Sequence, residues 1–185
     1  QDELAHRMAR HAAWHRHELT DGPLVLYTVW PDPAAQGRLD AAHGPPPGDD
    51  LHKLTAWWTD PALVVPRAEA RLAAAGHLGD AIPMHVTSLG PGSLAAFMGC
   101  RCVPTSTTVW QEPLIDQWST APTPALDETS FWWQAARKII RASIAASAGR
   151  WLTSMTDIGG AMDIASYFRT PEKLCLDVID HPAEV

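Results

Sequence analysis

The chain has 185 residues, 46% of them hydrophobic, and a formal net charge of −7, which suits one globular domain. Its 14 lysines and arginines are spread thinly, so no basic patch offers a footprint for nucleic acid, and no apolar run approaches the ~20 residues of a membrane span. Three cysteines at positions 100, 102 and 175 make no disulfide framework, and the opening QDELAHRMAR lacks an apolar signal core; the expected setting is a reducing cytoplasm.

Residues 2–19 read as a helix, with Leu4, Met8, His11 and His15 recurring at helical spacing. LVLYTVW, 24–30, has the branched and aromatic content of a buried strand. The Pro- and Gly-rich stretch 31–50 reads as a long surface loop. Asp60 followed by Pro61 is a helix start; Pro66 is expected to break or delay that helix, and Gly76 to close it.

IPMHVTSL, 82–89, is strand-like and runs into GPGSLAAFMG, where Ser93 is expected to cap a short helix that Gly99 ends. TTVWQEPLIDQW, 107–118, is an extended or turn segment. FWWQAARKIIRASIAASAG, 131–149, is the clearest helix, with Trp132, Ala136, Ile139 and Ile144 on one face. RWLTSMTD, 150–157, reads as the next strand and AMDIASYFR, 161–169, as the next helix. Thr170 then caps PEKLCLDVID, with Pro171 at the first helical position and Cys175 on the core face. Strands alternating with helices from residue 82 onward predict a parallel α/β sheet or barrel.

In such folds ligands sit at the carboxyl ends of strands. Two loops qualify, TSLGPGS at 87–93 and TDIGG at 156–160. Each ends a strand in hydroxyl or carboxylate residues, then uses glycines that let a ligand approach and opens a helix whose free N–H groups favour an anion. Asp157 reads either as a general acid/base or as the N-cap of the following helix. Asp163, in the first turn, suits the helix dipole without any further role. Glu112 beside Trp110 could have a raised pKa if buried.

Cys100 and Cys102 are spaced too closely for an ordinary zinc pair, and His85 is their nearest companion in sequence. His11 and His15, one turn apart, lack the glutamate of a metalloprotease helix. Neither group is expected to hold a metal. Nine tryptophans are explained either by a loop-rich core or by a broad binding cleft.

LGPGSLAAFMG (89–99), TVWQEPLIDQW (108–118) and TDIGGAMDIASYFRTPEKLCLDVIDHPAEV (156–185), in that order and with a Trp-rich helix between the second and third, resemble the divergent branch of the uroporphyrinogen decarboxylase superfamily. The resemblance spans residues 60–185. It implies a (β/α)₈ barrel and one of two chemistries: stepwise decarboxylation of porphyrinogen acetate groups, or zinc-dependent methyl transfer between a corrinoid protein and a thiol such as coenzyme M. The arginine-rich N-terminal signature of the heme-pathway decarboxylases has no counterpart here. The methyltransferases carry their zinc ligands in the second half of the family's barrel, which the resemblance over residues 60–185 does not reach.

A family-like barrel takes ~250 residues, so the expectation is an incomplete TIM-like barrel over 81–185 preceded by a helical, loop-rich extension over 1–80. It is expected to be completed by a second chain, a second copy or further residues. On this reading Asp157 orients or protonates a small-molecule, carboxylate-bearing substrate. Ser88, Gly90, Gly92, Ser93, Glu112, Gly159 and Gly160 line its site, and Trp110, with Trp30, supplies an apolar wall. Zinc and a corrinoid partner enter only if the chemistry is methyl transfer. The competing expectations are a non-catalytic half-barrel that associates through its open edge, and a binding module that keeps the strand-end site without chemistry.

Overall fold

A computed structural model describes residues 2–44 and 46–185. Helix α1 (Asp2–His15) is followed by β1 (Leu26–Val29), α2 (Pro33–His43), α3 (Leu51–Thr59) and α4 (Pro61–Ala74). Next come β2 (Gly76–Gly79), β3 (Met84–Val86), α5 (Ser93–Phe97), β4 (Cys102–Pro104) and β5 (Val109–Gln111). A 3₁₀ turn at Trp118–Thr120 leads to α6 (Phe131–Ser147), β6 (Leu152–Ser154), α7 (Ala161–Arg169) and α8 (Pro171–Asp180). The described residues are thus mixed α/β, with eight α-helices and three separate two-stranded sheets, and no closed barrel forms among them.

Caps account for most helix starts. Asp60 Oδ1 accepts from the Ala62 amide at 2.9 Å and Pro61 takes the first helical position, so α3 stops and α4 begins at one residue. Ser130 Oγ accepts from Trp133 N–H at 3.3 Å to open α6, and Ala148 and Gly149 at positive φ end it. Thr170 Oγ1 accepts from Lys173 N–H at 3.3 Å to open α8.

Several local expectations are corrected. Residues 33–43 form a helix where a loop was expected: Asp32 caps it through the Ala35 amide, Pro33 sits at its first position, and the other prolines of the stretch lie outside it, at 31 and after Gly44. Residues 51–59 form a further helix, capped by Asp50. Pro66 lies inside α4 without breaking it. The proline removes one hydrogen bond, while burial of Val65 and Leu72 holds the helix against its neighbours. Strand β1 is exposed rather than buried, because its antiparallel partner is the short β2, whose terminal glycines cover nothing. Ser93 is the first residue of α5, not its cap; Gly92 holds the cap position. Cys175 is exposed, since α8 turns Leu174 and Asp177 inward, three residues apart.

One core cluster joins Leu89, Ala96, Phe97, Ala136 and Ile139, with Phe97 edge-on to Trp133 at 5.3 Å between ring centroids. A second joins Ala95, Cys100, Ile115, Ile164 and Phe168. The five-residue α5 lies between them and feeds Ala96 and Phe97 to the first and Ala95 to the second. Val64 of α4 packs on the first cluster, so α4 lies against α6 and β3. Helix α1 is tied to the end of the antiparallel β1–β2 pair by polar contacts. Arg7 donates to the carbonyls of Ala81 (2.7 Å) and His77 (2.9 Å), Arg10 to Asp80 Oδ1 (2.6 Å), and His11 Nε2 meets the Asp80 carbonyl at 2.8 Å. Among the described residues no helix is long and apolar enough to cross a membrane.

Strands β3 and β6 pair in parallel, with His85 opposite Thr153. On the face toward α6, Ser143 Oγ lies 2.8 Å from His85 Nδ1 and 2.7 Å from Thr153 Oγ1, and Trp151 Nε1 donates to it at 3.2 Å. Residues alternate across a strand, so Met84, Val86 and Leu152 occupy the other face, where they are exposed.

Candidate functional site at the ends of the parallel strands

Because β3 and β6 are parallel and in register, the loops that leave them, 87–93 and 156–160, emerge at the same end of the sheet. Thr156 Oγ1 donates to Ser93 Oγ at 2.9 Å, and Ser93 Oγ donates to the Gly90 carbonyl at 2.9 Å. Both hydroxyls are buried, so the relay fastens the two loops to each other.

The glycines of the first loop are required by packing. Gly90 has φ +84°, and a Cβ there would stand 2.0 Å from the Val109 carbonyl oxygen of β5. At Gly92 a Cβ would stand 2.3 Å from Gln111 Oε1 and 3.1 Å from a ring carbon of Tyr167. The loop is therefore pressed against β5 and α7.

In the second loop the amides of Gly159 and Gly160 already have acceptors in the chain. Asp157 Oδ1 takes Gly159 N–H at 2.9 Å and Asp163 Oδ2 takes Gly160 N–H at 2.9 Å. An anion at these two amides would have to displace a carboxylate. Asp157 is exposed and lies three residues ahead of the true N-cap, Gly160, while Asp163 closes a capping arrangement. Tyr167, one turn beyond Asp163, has its phenol pKa raised by burial and then by the negative charges of Asp163 and Asp157. At neutral pH it is a protonated hydroxyl beside two carboxylates. This end of the sheet thus brings together a phenol hydroxyl, Tyr167, and an exposed carboxylate, Asp157.

Ser93, Gly90, Gly92, Asp157, Gly159 and Gly160 come together here, joined by two residues that sequence reasoning missed, Tyr167 and Gln111. Gln111 Oε1 is buried without a partner beside Gly92. Alternation along β5 was the available signal: Val109 and Gln111 face this loop, so Trp110 faces away and is exposed. Glu112 is drawn off as well, its Oε2 accepting from Arg101 at 2.8 Å across the β4–β5 hairpin.

Ser88 lies elsewhere. It lines a cavity of about 370 Å³ together with Trp30, Trp58, His85 and two arginines of α4, Arg67 and Arg71. Neither arginine was singled out from the sequence. Burial lowers the pKa of His85, whose Nδ1 faces Ser143, and leaves the ring neutral. Burial likewise pushes the Cys100 thiol up to about 11 and Cys102 up to about 12. No group of three or more His, Cys, Asp or Glu side chains among the described residues is arranged to hold a metal ion.

Comparison with protein-family models, with curated proteins and with solved structures returns no match to this chain.

Proposed function

We propose that the chain provides part of a uroporphyrinogen decarboxylase-like barrel and works as part of an enzyme on a carboxylate-bearing, porphyrinogen-type small molecule. The observation that carries this reading is the parallel β3–β6 pair, whose two exit loops are locked together by the Thr156–Ser93 hydrogen bond. A parallel pair with a helix packed on one face and a bare apolar opposite face is the local geometry of a (β/α) barrel wall. In this role Asp157 orients the substrate or moves a proton, and Tyr167 supplies the proton that a carbanion left by CO₂ loss requires. Ser88 and Trp30 line the adjoining wall.

The exposed face of Met84, Val86 and Leu152 supports a second reading, in which the sheet is covered by another polypeptide and the chain acts by assembly. The methyl-transfer alternative draws its zinc ligands from outside these residues.

The test is CO₂ release from uroporphyrinogen by the full chain, run beside methyl transfer from a methylated corrinoid protein to coenzyme M in the presence of zinc. Decarboxylation that falls by roughly 10²–10⁴-fold in Asp157→Asn, the range of a lost general acid/base, is expected, with Asp163→Asn retaining activity. Unchanged turnover in Asp157→Ala sinks the assignment, and methyl transfer alone moves the chain to the other chemistry.

A further inference from the structure

Arg67 and Arg71 lie one turn apart on α4 and both line the cavity that contains Ser88. Arg67 is the unusual member. Its guanidinium carbon lies 3.5 Å above the Trp57 ring centroid, and Nη2 donates to the Trp57 carbonyl at 2.7 Å. Its Nη1 is buried and has no hydrogen-bond partner. Among the described residues neither arginine forms a salt bridge. Burial, and then the charge of Arg71, push the Arg67 pKa down to about 10, which leaves it a cation at neutral pH. A half-buried guanidinium held in place with one buried donor idle lacks the anion that ordinarily accompanies such a group.

The surroundings specify the missing partner. The walls are apolar: Trp30, Trp58, Val64, Leu72, Met84 and Val86. The Trp58 indole N–H is occupied by the Thr105 carbonyl at 2.7 Å, so that ring is a fixed wall. No carboxylate lines this cavity. Asp40 lines the adjoining space, which both arginines also border; it accepts from Gln36 Nε2 at 2.8 Å, and its charge partly offsets the fall in the Arg67 pKa. His85 is neutral. The lining itself therefore carries two positive charges, one on the half-buried Arg67 and one on the exposed Arg71, beside an apolar wall, with the Asp40 carboxylate across the boundary in the adjoining space.

We propose that this cavity is a binding site for an oxyanion, carboxylate or phosphate, carried on an apolar body, with Arg67 and Arg71 holding the anion and the Ser88 hydroxyl at its border. The guanidinium fork presents paired N–H groups that match the geometry of either oxyanion. The site deepens the proposed enzymatic reading by naming where the charged end of the substrate docks, and rests on that reading only in treating the ligand as a substrate.

The experiment is calorimetric titration of the full chain with 1-naphthoate, with the uncharged 1-naphthalenemethanol, and with inorganic phosphate. It is repeated on Arg71→Met, an exposed position whose replacement leaves the fold intact, with circular dichroism as the check. Arg67→Lys, which keeps the charge and loses the fork, is the second variant. Saturable 1-naphthoate binding, tighter than that of the alcohol and weakened about tenfold or more in Arg71→Met, is the expected result. Phosphate binding that is lost in Arg71→Met supports the oxyanion site and assigns it to phosphate-bearing ligands. Absence of saturable binding by both anions, or affinities unchanged in both variants, overturns the proposal. The readout is binding and not turnover, so its failure leaves the Asp157 assay standing, and failure of that assay leaves this site standing.

Discussion

Thr156 and Ser93, 63 positions apart, share a buried hydrogen bond of 2.9 Å between their hydroxyls. Ser93 Oγ in turn donates to the Gly90 carbonyl, so two loops, two strands and one helix start are joined through one oxygen.

Removing that oxygen strands two groups. Ser93→Ala is expected to lower stability by about 1–3 kcal/mol, the penalty for an unsatisfied buried polar group. Thr156→Val removes only the donor and is expected to cost less. The double variant should be less destabilised than the sum of the two, because the coupled pair is lost once. Urea denaturation of the four proteins checks this, and simple additivity would refute the coupling.

Gly90 admits no side chain. Its φ of +84° and the 2.0 Å approach of a Cβ to the Val109 carbonyl predict that Gly90→Ala is destabilised by at least about 1–3 kcal/mol from backbone strain alone. Gly160 has φ −97° and its nearest contact is a side-chain oxygen at 3.3 Å, so Gly160→Ala should be tolerated far better. Comparing the two melting temperatures tests whether close packing, and not ligand access, demands the first glycine.

Acid should loosen the α7–α8 corner. Arg169 Nε and Nη2 donate to Asp177 Oδ2 and Oδ1 at 2.5 and 3.0 Å, and the hydrogen bond to this guanidinium holds the Asp177 carboxyl below its usual range. A carboxylate with a depressed folded pKa stabilises the native state fully above its unfolded pKa, near ~4, and loses that contribution as pH falls through the folded value. Asp177→Asn should therefore melt well below the parent at pH 7, with the gap closing toward pH 3. A gap that stays constant with pH would show that the pairing is not the source. Asp80, lowered by its hydrogen bond to Arg10, is expected to follow the same sign.

The three thiols should separate by reactivity. Burial raises Cys100 to about 11 and Cys102 to about 12, whereas Cys175 is exposed. A disulfide reagent at pH 8 is expected to modify Cys175 quickly and the other two only after unfolding, since the thiolate is the reacting form. Fast loss of three equivalents from the native protein would contradict the burial of the Cys100–Cys102 segment.

Helices with their own start and stop signals were legible in the sequence. Thr170 with Pro171, and Asp60 with Pro61, each begin a helix where local chemistry says so, because a cap is satisfied within four residues. The helix at 33–43 was hidden by the prolines around it, although Asp32–Pro33 is the same signal as Asp60–Pro61. Burial of 24–30 was misjudged because exposure depends on what lies across the sheet, and that partner is a glycine-ended strand some fifty residues away.

The chain by itself determined where the helices with their own caps at Asp60 and Thr170 begin, the two glycine-bearing loops after strands, and the acidic character of the stretch 157–163. These are consequences of neighbours in sequence. Tertiary structure alone decided that the two loops meet through Thr156 and Ser93, and that Tyr167 and Gln111 join them while Trp110 and Glu112 turn away. It alone set Ser88 beside Arg67 and Arg71 and left one guanidinium nitrogen buried without a partner. Those facts depend on which faces pack together, and packing is settled by contacts between residues too far apart in the chain for any local pattern to record.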